Sequence, residues 1–67
     1  MIDVKFKNKK IGEKILHVDF SENPDLTVGD VVEIMDFLAN EYPDREIFID
    51  GDENGICSRP RKPSSDS

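Results

Sequence analysis

Cysteine is almost missing from this chain of 67 residues: Cys57 stands alone, and histidine is also represented once, by His17. A single cysteine excludes an internal disulfide, so the fold rests on packing, and a reducing cytoplasm is the expected compartment. One Cys and one His also fall short of the four ligands of a structural zinc site, and no motif around either supplies the third group that orients a nucleophile and its base. Cys57 reads instead as a small apolar strand residue, and His17 as a surface residue on the outward face of a strand, near a carboxylate. Long apolar runs are missing too. No stretch approaches the roughly 20 apolar residues that span a bilayer, and MIDVKFKNKK lacks the apolar centre of a signal peptide, so a soluble protein is expected. There is no glycine-rich phosphate loop, no P-loop lysine and no dinucleotide fingerprint. A chain this short leaves a thin core, in which a deep reactive pocket is hard to build. The reading is of a protein that is not an enzyme and holds no cofactor.

Basic residues are scarce where the chain is longest without interruption. From Asp19 to Glu53 twelve acids face a single arginine, a local −11 within a net charge of −6. The flanks carry the opposite sign: five lysines and one acid lie between Lys5 and Lys14, and Arg59, Arg61 and Lys62 follow Cys57. A surface so divided steers toward a basic partner, and its acidic middle repels nucleic acid.

Residues 2–7, IDVKFK, alternate with Ile2, Val4 and Phe6 on one face, as a half-buried strand does. NKKIG reads as the turn, and KILHVDF alternates again with Leu16, Val18 and Phe20 inward, completing a hairpin. SENPDL is a loop that ends at Thr27, whose hydroxyl caps a helix and whose third neighbour is Asp30, a variant of the capping box. The helix is expected from Val28 to Tyr42, stopped by Pro43. At 100° per residue, Val28, Val31, Val32, Met35, Leu38, Ala39 and Tyr42 share the stripe expected to lie on the sheet. EIFID and ICSR read as two further strands joined by DGDENG. Residues 60–67 carry no apolar side chain and are expected to be a disordered tail after a single domain of residues 1–59.

The order strand, strand, helix, strand, strand predicts an α+β fold with one helix on one face of a four-stranded sheet. With its N-terminal hairpin, the loop into TVGDVVEIM and the proline-bearing turn before REIFIDG, the pattern resembles the β-grasp, or ubiquitin-like, fold over residues 1–59. That resemblance implies a mixed sheet with the first and last strands parallel at its centre. Ubiquitin-like modifiers and sulfur carriers end in an activated Gly-Gly tail, whereas this chain ends SSDS, so the resemblance implies protein binding rather than conjugation.

Four candidate sites follow. Phe37 projects about 180° from the centre of the apolar stripe, with Ile34 at its border and Asp30, Glu33 and Glu41 around it. An aromatic anchor ringed by polar residues is the form of an interface hot spot, which predicts a basic, apolar-pocketed protein partner; by analogy with small acidic inhibitors and nucleic-acid mimics, the basic surface of a nucleic-acid-handling protein is one such target. Self-association through the same patch is the rival. Phe48 is a second candidate, because it points away from Ile47 and Ile49 toward the side that bears Ile15 and His17, where ubiquitin-like domains carry a recognition patch; the inverted assignment stays open. Asp50, Asp52 and Asn54, with Gly55 sixth, match the first half of a calcium loop, but the twelfth position is Arg61 rather than a bidentate glutamate, so only weak calcium binding is expected, against a plain hairpin turn. The last candidate is nucleic-acid binding through Lys5, Lys7, Lys9, Lys10, Lys14 and the basic tail, which the acidic segment opposes and which lacks aromatic stacking positions because Phe6 is read as inward.

Overall fold

A computed structural model of the chain describes residues 4–61. Strands β1 (Phe6–Ile11) and β2 (Lys14–Asp19) form a hairpin; a 3₁₀ turn (Phe20–Glu22) and a loop lead to helix α1 (Val28–Glu41), and strands β3 (Arg45–Asp50) and β4 (Gly55–Pro60) form a second hairpin. The result is a small α+β domain, a four-stranded antiparallel sheet with one helix on it. The strands lie in the order β1-β2-β4-β3. The mixed sheet implied by the β-grasp resemblance is therefore corrected: the central pair is β2 with β4, antiparallel, and β1 forms an edge. A parallel first-to-last pair needs a crossover that returns the last strand beside the first. Here β4 is reached by a hairpin from β3 and enters beside β2 instead. No helix of the described residues is long and apolar enough to cross a membrane.

The helix ends follow the local chemistry. Thr27 accepts from the Asp30 backbone N–H at 3.1 Å and the Asp30 carboxylate accepts from the Thr27 N–H at 3.2 Å, a reciprocal capping box that satisfies two otherwise orphaned donors. At the other end the Tyr42 N–H reaches the Leu38 carbonyl, and Pro43 allows no continuation.

The hairpins depart from the alternation read in the sequence. Expected over residues 2–7, the first strand instead occupies Phe6–Ile11, running through most of the segment read as its turn; residues 1–3 lie outside the described residues. The turn itself is Gly12 and Glu13, and Gly12 takes φ +63°, a conformation that costs other residues dearly. Asn8 stands at φ +54° where the β1–β2 register shifts between Phe6 and Lys9, and the β2–β4 register shifts between Leu16 and Val18. Each shift is a bulge, and a bulge reverses which face the following residues occupy. Leu16 consequently pairs with Cys57 on the face away from α1, while Val18 pairs with Ile56 beneath the helix. The expectation that both leucine and valine face inward together fails at His17.

Val18, Ile34, Leu38 and Ile56 form the buried core, edged by Val4, Phe20, Leu26, Val31, Met35 and Ile47. Fully burying each such side chain contributes about 1.5–3 kcal/mol. Gly55 lets β4 approach β2, since a Cβ there would lie 1.9 Å from the Val18 carbonyl oxygen. The predicted helix stripe is rotated. Val28, Val32, Ala39 and Tyr42 are exposed, and Ile34, placed at the border of the stripe, is at the centre of the core. The physical reason is width: the apolar residues of α1, from Phe37 round to Val32, span roughly 220° of its circumference. One sheet face covers only the middle of such an arc. At the C-terminal end, β4 reaches Pro60, one residue beyond the boundary expected at residue 59, and the Arg61 N–H donates to the Asp44 carbonyl at 3.1 Å; residues 62–67 lie outside the described residues.

Candidate functional site

Two lanes of α1, each set by i, i+4 spacing, bear on the candidate site. One lane, Ile34 and Leu38, is buried on the sheet. Ile34 is only 6% exposed and is thus withdrawn as a partner-binding residue: it holds the helix down. The lane Glu33, Phe37, Glu41 faces outward. Phe37 is 52% exposed, and its ring meets Phe6 of β1 edge-on at 6.4 Å between centroids. Phe6 is itself 45% exposed, not inward as its alternation suggests. With β1 the edge strand and Asn8 a bulge, the helix flank is what meets it among the described residues. Two aromatic rings thus form one ledge, flanked by Glu33 and Glu41, neither of which enters an ion pair among the described residues. Asp30 is more constrained, its carboxylate being committed to the helix cap.

Phe48 lies on the other side of the sheet, so the structure does not bring it together with the helix residues. Pairing places Phe48, Cys57 and Leu16 in register across β3, β4 and β2 on the face opposite Ile47, which packs in the core. That face is not an open apolar patch. Leu16 and Cys57 are buried, Arg59 stands 5.1 Å over the Phe48 ring and pairs with Glu46, and Lys14 pairs with Asp50 and Glu53. Phe48 is half-buried beneath a guanidinium, a stacking that stabilises it where it is. Burial and the nearby Asp50 carboxylate push the Cys57 thiol up from its ordinary value, away from the reactive thiolate.

His17 is 1% exposed and lies on the helix side, correcting its expected surface position. Its ring stacks on Tyr42, Nδ1 contacts Asn8 Oδ1 at 3.1 Å, and Nε2 contacts Ser58 Oγ at 2.7 Å. Ser58 Oγ also accepts from Arg45 Nε at 2.7 Å. With Asn8 Oδ1 as an acceptor, Nδ1 is the ring's donor, and a neutral ring then has Nε2 free to accept the Ser58 hydroxyl. Desolvation and the Arg45 guanidinium both hold His17 below its ordinary 6.5. Serine, histidine and asparagine follow one another as in a hydrolytic relay. Yet Ser58 has no exposed surface and its oxygen already accepts from arginine, so the chain of bonds satisfies buried polar groups. Sequence reasoning missed this cluster because it assembles only through the two bulges, which no local pattern announces.

Of the candidate calcium residues, Asp50 has its carboxylate engaged by neighbouring groups. Asp50 Oδ1 accepts the Asp52 N–H at 2.9 Å and Oδ2 pairs with Lys14, which holds the Asp50 carboxyl below its usual range; Asn54 takes φ +56°. Among the described residues no three His, Cys, Asp or Glu side chains are grouped to hold a metal ion. Of the lysines proposed for nucleic acid, Lys7 pairs with Glu22 and Asp19, and Lys14 with Asp50 and Glu53. Those two cations are neutralised locally. Comparison of the chain with protein-family models, curated proteins and solved structures gives no match.

Proposed function

We propose that the chain is a non-enzymatic protein-interaction module whose acidic helix engages the basic surface of a protein partner. One observation carries the reading: Phe37, half-exposed against Phe6, stands between Glu33 and Glu41, which are free of ion pairs among the described residues. A large aromatic surface supplies contact area at small cost in side-chain freedom, and the acids around it steer and orient a cationic partner. The excess of twelve acids over one arginine from Asp19 to Glu53 extends that field across the helix. Occupying a surface that otherwise meets nucleic acid is one way such a module acts.

The test compares capture of partners from a cell lysate by the tagged wild type and by Phe37→Ala. A basic protein is expected to be held by the wild type, released by salt, and weakened about 30-fold or more by the substitution, as the loss of a hot spot of about 2 kcal/mol implies. Equal retention by both proteins would remove Phe37 from the interface, and loss of the folded circular-dichroism spectrum in Phe37→Ala would place it in the core.

A further inference from the structure

On the opposite flank of α1 from Phe37, a groove of about 370 Å³ opens between the helix, the loop before it and the end of β3. Its lining is almost wholly apolar and includes Phe20, Pro24, Leu26, Val28, Val32 and Ile49. Three of these are among the most exposed aliphatic side chains of the described residues: Val28 at 82%, Val32 at 60% and Ile49 at 52%. Single exposed apolar residues are ordinary. Three that converge on one concavity of this size, with Phe20 and Met35 within it, are the features of a binding site.

Charge selects the occupant. Every lining residue lies within residues 19–53, the segment in which twelve acids face one arginine. That arginine, Arg45, is committed to Ser58 and to the Glu13 carbonyl. Asp25 sits between the lining residues Pro24 and Leu26, and Asp36 lies one turn along the helix from Val32; neither forms an ion pair among the described residues. A second copy docked groove to groove would bring the same acidic segment against itself, and an anionic lipid would be repelled by it. At the start of α1 the Thr27 and Asp30 N–H groups are already met within the capping box, and the Asp30 carboxylate there opposes a further anion.

We propose that this groove receives the apolar side chains of a lysine- or arginine-flanked peptide segment of a partner protein. The inference rests on the reading of the chain as an interaction module, but not on Phe37. Val28 and Val32 enter the site from successive helical turns, so two anchor positions about one turn apart read alternate apolar side chains of the segment, and Asp25 and Asp36 meet its basic flanks.

The experiment selects a displayed library of random 12-residue peptides on the immobilised full chain. Enriched peptides are then labelled and titrated against wild type, Val32→Glu and Phe37→Ala by fluorescence anisotropy. Enrichment of apolar residues flanked by Lys or Arg is expected, with affinity weakened about tenfold or more by Val32→Glu and changed less than about twofold by Phe37→Ala. The added carboxylate attracts a cationic peptide electrostatically, so a loss of binding reports blockage of the groove. Val28→Glu gives the same loss at a still more exposed position, should Val32→Glu fail to fold. Failure to enrich any peptide, enrichment of acidic sequences, or sensitivity to Phe37→Ala alone overturns the groove proposal, and the last of these would leave the helix-face reading standing. Sedimentation showing a dimer that Val32→Glu dissolves would make the occupant a second copy and overturn it as well.

Discussion

Ser58 Oγ lies between a buried histidine and an arginine: it accepts from Arg45 Nε and stands 2.7 Å from His17 Nε2. Burial of an imidazole with a guanidinium nearby favours the neutral ring. A base held below its ordinary value binds a proton less readily folded than unfolded. Its stabilising effect is therefore complete above pH 6.5 and is lost as the pH falls through 6.5 toward the folded value. The urea midpoint of the wild type is expected to drop between pH 7.5 and pH 5, a window in which His17, the sole histidine, is the side chain with an ordinary pKa. His17→Gln, which does not titrate, should flatten that slope. An unchanged slope in the variant would assign the pH dependence to other groups. None of this is legible in KILHVDF, where alternation puts His17 outward; a single bulge moves it beneath Tyr42.

At the scale of elements, α1 separates folding from binding by lane. Ile34→Ala removes buried methyl groups from the core and is expected to cost about 2–5 kcal/mol in urea unfolding. Phe37→Ala forfeits an edge-on contact with Phe6 at a half-exposed site, worth about 0.5–1.5 kcal/mol beyond the area it buries. Losses of equal size would show that Phe37 is core. The existence of this helix, its cap at Thr27 and its stop at Pro43 are all readable from the chain, because capping and proline act on neighbouring residues. Which arc of it is buried is not. Apolar residues span more of the circumference than one sheet covers, and the choice of Ile34 over Val32 depends on where Val18 and Ile56 lie.

For the whole molecule the deciding feature is the order β1-β2-β4-β3. Nuclear Overhauser contacts are expected between Leu16 and Cys57 and between Val18 and Ile56, with none between β1 and β4. Amide exchange should be slowest in β2 and β4, which are paired on both sides, and faster in the edge strands. A β1–β4 contact in parallel register would instead reinstate the mixed sheet. The same order leaves Phe6 on an edge strand at one flank of α1. The groove opens on the other flank.

Composition and local pattern alone determined the α+β class, the four strands, the capped helix and the uneven division of charge, since each depends on residue type or on neighbours a few positions apart. Only the tertiary structure decided the antiparallel order, the face on which Leu16, His17 and Ile34 lie, and the gathering of Phe20, Val28, Val32 and Ile49 about one groove. These depend on two bulges and on the seating of one helix. Burial is settled by which distant surfaces meet, and a shift of one residue in strand register exchanges inside for outside.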